Sequence, residues 1–141
     1  MDCENGADQI HDLGGAIRVK TGDWKESFRI DIRSYKIKDD KEIPTTDGVS
    51  LTRDQYMMFR KHFTEITNSL DHILLGGGEI NLRIHLGGDY YITLNSPYKG
   101  FNIRKWFTPK ETTGLLPGKG LFFKCQHFRR LLSVDANLNI I

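Results

Sequence analysis

At 141 residues and 16.2 kDa, the chain is long enough for one ordinary domain or two very small ones, and 38% hydrophobic content supports a modest core. No run of 18 apolar residues exists, which excludes a transmembrane helix, and the acidic start Met1-Asp2-Cys3-Glu4 leads us to expect no secretory signal. The net charge of +2 divides into −3 over residues 1–75 and +5 over residues 76–141.

Along the chain, residues 1–9 read as a tail. Ile17 and Val19 alternate with Arg18 and Lys20, and Phe28, Ile30 and Ile32 alternate with Arg29, Asp31 and Arg33. Both patterns have the period of a strand with one buried face. Thr52-Arg53-Asp54-Gln55 is a capping box opening a helix. Tyr56, Phe59, Phe63, Ile66, Leu70 and Ile73 then form one apolar stripe, which predicts a single helix over five turns. Gly76-Gly77-Gly78 ends it and is expected to act as a flexible join. Beyond it, Ile80, Leu82, Ile84 and Leu86 alternate with Asn81, Arg83 and His85, and Phe101 and Ile103 alternate with Asn102 and Arg104. A shorter helix is predicted from about Lys124 through Leu132, with Ser133 to Ile141 poor in helix formers and expected to fray.

These features come twice in the same order. Phe28 to Tyr35 lies over Lys99 to Trp106, Gly48-Val49-Ser50-Leu51 over Gly120-Leu121-Phe122-Phe123, Tyr56 over Phe128, and Leu13-Gly14-Gly15 over Leu86-Gly87-Gly88. An internal repeat is therefore expected, with residues 10–75 and 79–141 each forming a ββββα unit and 76–78 joining them. The fold class is α+β.

Enzyme signatures are thin. Gly114-Leu115-Leu116-Pro117-Gly118-Lys119-Gly120 is one residue short of a phosphate-binding loop, and Gly120 stands where such a loop needs Ser or Thr. The five histidines show no short metal-ligand spacing. Two cysteines, Cys3 and Cys125, are too few for a disulfide framework and suit a reducing compartment. Cys125 and His127 are two apart on a helix and point away from each other, so a thiol nucleophile is not expected. No cofactor, metal or catalytic residue is assigned.

Residues 99–130 hold eight Lys/Arg and one acid, interleaved with aromatics, which suits a polyanion partner. Arg104 with Trp106, and Arg33 with Tyr35, should project from one side of their strands. An arginine beside an aromatic on a sheet suits single-stranded nucleic acid. The same residues also fit a second core layer with Trp106 packed inside and Arg104 covering it; the pattern alone leaves both open.

The stretch Phe28 to Tyr35, followed by Gly48 to Tyr56, resembles the DNA-binding domain of the transcriptional positive cofactor 4 family, the single-stranded-DNA-binding coactivator p15. Asn102 to Phe107 and Pro117 to Leu121 resemble it a second time. The resemblance implies a curved antiparallel four-stranded sheet followed by a helix. It also implies that this chain holds both halves of the family's usual homodimer, folded as a monomeric intramolecular pseudo-dimer. Carried over position by position, it implies nucleic-acid contacts at Trp24, Lys25 and Arg33, and at Tyr98, Lys99, Arg104 and Lys119. The family's stacking tryptophan falls on Lys36 and Phe107, whereas strict alternation favours Tyr35 and Trp106; a bulge would reconcile the two.

The implied protein is a non-enzymatic single-stranded-DNA binder of little sequence specificity, acting as a coactivator in transcription or in replication and repair. The alternative is an RNA-binding or protein-interaction module on the same fold. Single-stranded DNA is the expected partner, RNA and the transcription machinery are further candidates, and no membrane is involved. The expected location is the nucleus for a eukaryote or its virus, and the cytoplasm otherwise.

Overall fold

The computed structural model describes residues 9–24, 27–109, 114–138 and 140. The first half runs β1 (Gln9–Gly14), β2 (Ile17–Trp24), β3 (Ser27–Lys38), β4 (Lys41–Leu51), α1 (Arg53–Lys61) and α2 (Phe63–Leu74). The second runs β5 (Asn81–Gly87), β6 (Tyr90–Asn95), β7 (Gly100–Phe107), β8 (Leu116–Lys124), α3 (Cys125–Val134) and a 3-10 turn, Asp135–Asn137. Strands β1 to β4 pair in sequence order into one antiparallel sheet, and β5 to β8 into another. The α+β class and its two repeats are thus as expected.

Strand alternation sets the core. Ile30 and Ile32 of β3 and Phe101 and Ile103 of β7 are fully buried, while Arg29, Asp31, Arg33, Asn102 and Arg104 between them face outward. The Leu-Gly-Gly echo is a bulged hairpin turn made twice, with Ala16 (φ +65°) adding a third left-handed residue in the first turn only. Gly14 and Gly15 have φ of +90° and +59°, and Gly87 and Gly88 have +125° and +57°, conformations that side chains resist.

Three expectations are corrected. The long stripe is two helices, because at His62 (φ −101°, ψ 7°) the ring Nδ1 bonds the Met58 carbonyl at 2.9 Å and the axis is interrupted. The break lets α1 bury Tyr56 and Phe59 while α2 buries Ile66, Leu70 and Ile73. The first two linker glycines are not a loose join. Gly76, at φ +74°, donates to Ile73, and Gly77 donates to His72, which makes a Schellman cap. Finally, the C-terminal stretch is anchored: Leu138 and Ile140 are buried, and Asp135 pairs with Arg60 of α1 at 3.0 Å and accepts from the Tyr56 hydroxyl at 2.6 Å. Burial and that bond push the Tyr56 pKa up.

The helices cross between the repeats, α1 packing on β5 and α3 on β1, while β4 lies beside β8. Gln55, which accepts from Thr52 N–H to cap α1, also donates through Nε2 to the Gly87 carbonyl at 3.0 Å. His127 holds the equivalent place. Its Nδ1 accepts from Lys124 N–H at 3.2 Å, while its Nε2 is buried against the Gly14–Gly15 turn. Between the crossings, the Phe59 ring lies 6.1 Å from Phe101 and 6.3 Å from Phe128, so one aromatic core serves both halves. Burying a phenylalanine this fully contributes about 1.5–3 kcal/mol.

Candidate nucleic-acid interface

Two outward sheet faces are left by this packing. On the first, Lys20, Asp23, Arg29, Asp31, Arg33 and Tyr35 line a groove of about 590 Å³. Between Arg33 and Tyr35 the β4 partner moves from Gly48 to Pro44, so the bulge lies on β4 and β3 keeps its alternation. In the second sheet, the partner of β7 moves from Gly120 at Arg104 to Pro117 at Trp106, so one extra residue lies on β8 where β4 carries two. Arg33 with Tyr35, and Arg104 with Trp106, therefore share one face each. Trp106 is half-buried on the outer face and is not among the fully buried core residues.

Each arginine sits opposite a glycine for a steric reason. A Cβ at Gly48 would lie 2.6 Å from the Ile32 carbonyl and 2.8 Å from Arg33 Cβ, and one at Gly120 would overlap Arg104 and the Ile103 carbonyl. Each guanidinium is oriented the same way, by the residue two positions earlier and by a carbonyl from the bulged strand. Arg33 donates to Asp31 at 2.8 and 3.1 Å and to the Thr45 carbonyl at 3.0 Å. Arg104 donates to Asn102 Oδ1 and to the Gly118 carbonyl, both at 3.0 Å. The hydrogen bond to Asp31 pushes the Arg33 pKa up, against the opposing effect of burial. Arg104 forms no ion pair with a described residue. Arg33 is paired in place with a carboxylate, whereas Arg104 is held by a neutral amide and a backbone carbonyl.

The rest of the faces differ in the same sense. Arg18 pairs with Glu42, a hydrogen bond that raises the Arg18 pKa, and its guanidinium lies 5.3 Å from the Tyr35 ring. In the second sheet the equivalent rows carry His85, Tyr91 and Arg83 with no carboxylate. The His85 and Tyr91 rings stack at 4.5 Å and 15°.

The other expected contact residues are more scattered. Lys36 and Phe107 are exposed and alternate to the side opposite Tyr35 and Trp106. Tyr98 is 65% exposed and Lys99 is exposed beside it, ahead of β7, while Lys119 is exposed on β8 between Gly118 and Gly120. Lys25 lies outside the described residues, as does the side chain of Trp24. Cys125 donates through Sγ to the Lys99 carbonyl at 3.3 Å, and burial pushes its thiol up, away from the thiolate. The sequence reading did not assign Lys20, Arg29, Arg83, His85 or Tyr91 to a site. The signal was available, since all five sit at polar-phase positions of their strands.

Comparison with known proteins bears on the first face. Residues 11–62 match the family model described as Transcriptional Coactivator p15 (PC4), a span running from β1 to the end of α1. The chain is 35% identical over 77 residues to the RNA polymerase II transcriptional coactivator KELP of Arabidopsis thaliana, which covers 49% of this chain and 47% of that protein. It is 36% identical over 56 residues to the RNA polymerase II transcriptional coactivator KIWI of the same plant, covering 40% of this chain and 52% of that one. The chain thus spans about half the length of these relatives. No solved structure matches it.

Proposed function

We propose that this chain, whose residues 11–62 match the Transcriptional Coactivator p15 (PC4) family model, is a non-enzymatic transcriptional coactivator that binds single-stranded DNA across the outer faces of its two sheets. The repeats, residues 10–75 and 79–141 joined through 76–78, act in this reading as one monomeric unit. The relatives' coactivator names favour transcription over replication or repair. In a eukaryotic cell that role is nuclear.

The observation that carries the reading is a unit made twice: an arginine opposite a glycine, with an aromatic two residues further on the same face. The cation suits phosphate, and the ring suits an unpaired base, with stacking worth about 1–3 kcal/mol per base. In a duplex those base faces are already stacked, so the ring loses its partner. Helices α1 and α3 pack their buried faces against strands of both repeats, which suits scaffolding more than groove reading.

The test is binding of one labelled sequence as single-stranded DNA, duplex DNA and RNA at two salt concentrations. Single-stranded DNA should bind at least about tenfold tighter than duplex, with affinity falling as salt rises because phosphate contacts release counterions. Equal or tighter duplex binding overturns the proposal. Tighter RNA binding replaces DNA with RNA as the partner.

A further inference from the structure

We propose that the outer face of β5 and β6 is an additional single-stranded-DNA subsite, formed by Arg83, His85 and Tyr91 running into Trp106, with no counterpart on the first sheet. This rests on the function proposed above and names contacts which that reading does not include. The Arg83 guanidinium lies 4.8 Å from the centre of the Tyr91 ring and 5.8 Å from that of Trp106. Tyr91 in turn stacks on His85. The four side chains are therefore one continuous run of flat groups, ordered before any ligand arrives, so little side-chain entropy is lost on binding.

Charge complementarity selects the ligand. Arg83 and His85 are exposed, and neither Arg83 nor Arg104 forms an ion pair with a described residue. Two uncompensated cations beside aromatic planes fit a strand carrying both phosphate and unpaired bases. At the same register on the first sheet, Tyr91 is replaced by Arg18, which Glu42 holds, and Arg83 by Ile10. That face has no run to extend.

Trp24 and Trp106 are the two tryptophans, so Trp24→Phe leaves Trp106 as the sole indole reporter. Titration of this variant with oligothymidylate should quench Trp106 emission. Arg83→Ala and Tyr91→Ala should each weaken oligothymidylate binding about tenfold, the size of one lost contact, and Arg83→Ala should lower the salt slope by about 1. Ile10→Ala, at the position that takes the place of Arg83 on the first sheet, should stay within about twofold of the parent. Melting curves identify any variant that fails to fold; Arg83, being exposed, is the one that carries the test. Folded Arg83→Ala with unchanged affinity and unquenched Trp106, in a parent that binds, overturns the subsite alone. A parent that does not bind oligothymidylate overturns the proposed function and the subsite with it.

Discussion

The two outer faces share a backbone and differ in what surrounds the arginine. One cross-strand row reads Asp12, Arg18, Arg33, Gly48 in the first sheet and His85, Tyr91, Arg104, Gly120 in the second. The next reads Ile10, Lys20, Asp31, Ser50 against Arg83, Thr93, Asn102, Phe122. The first face thus sets three cations against two carboxylates, and the second carries two cations with no carboxylate. What stays fixed is the glycine that makes room and the arginine that fills it. The fold holds the guanidinium; the neighbour two residues back decides whether its charge is available.

The comparison extends to the crossings, where the largest effect is expected. Gly15 and Gly88 have nearly the same left-handed φ, so alanine carries a similar backbone cost at both. A Cβ at Gly15, however, would stand 2.7 Å from the buried His127 ring, whereas at Gly88 it would meet the flexible amide end of Gln55 at 3.2 Å. Gly15→Ala should therefore lower stability by about 2–3 kcal/mol and Gly88→Ala by about 1–2 kcal/mol, read from denaturant melts. Equal losses would mean that the two crossings are mechanically alike.

Exchanging the arginine's neighbour should act on binding. Asn102→Asp gives Arg104 the partner that Arg33 has, and should weaken single-stranded DNA binding about tenfold while flattening its salt dependence. The reverse change is smaller. Asp31→Asn releases Arg33 from a partly buried ion pair and should tighten binding about threefold, at a stability cost of about 1 kcal/mol. If Asn102→Asp leaves affinity unchanged, the second face does not engage phosphate through Arg104.

Much of this was legible in the residues. Period-two alternation gave the strands and their buried faces, and the order of motifs gave the repeat. The side shared by Arg33 and Tyr35 also followed from alternation, because the bulge fell on the partner strand. The break at His62 was not legible, since Phe59, Phe63 and Ile66 keep helical spacing straight through it. Asp31 and Arg33 were visibly on one side of a strand, but the lock also needs the Thr45 carbonyl, which the bulge delivers. Which helix covers which sheet is a tertiary fact. Gln55 reads as half of a capping box, and its bond to the Gly87 carbonyl appears only when the other repeat is in place. Asp135 likewise reads as a lone acid in a fraying tail until Arg60 and Tyr56 meet it.

The smallest expected effect is a pH dependence at one crossing and not at the other. Burial, and secondarily the Lys124 charge, hold the His127 pKa below its ordinary value. Geometry agrees, because Nδ1 accepts the Lys124 N–H and a proton there would set donor against donor. A histidine whose folded pKa is depressed binds its proton first in the unfolded chain. Its contribution to stability is therefore complete above the ordinary histidine pKa of about 6.5 and is lost as the pH falls through the lower folded value. Gln55 does the same capping work with an amide that does not titrate. His127→Gln should accordingly reproduce the Gln55 arrangement, with a flexible amide N–H₂ in place of the unpartnered Nε2–H, and should lose part of the acid destabilisation expected of the parent. The two proteins differ at this ring alone, so the difference between their stability-against-pH curves isolates it. Parallel curves between pH 7 and 5 would show that His127 carries no proton-linked share of the crossing.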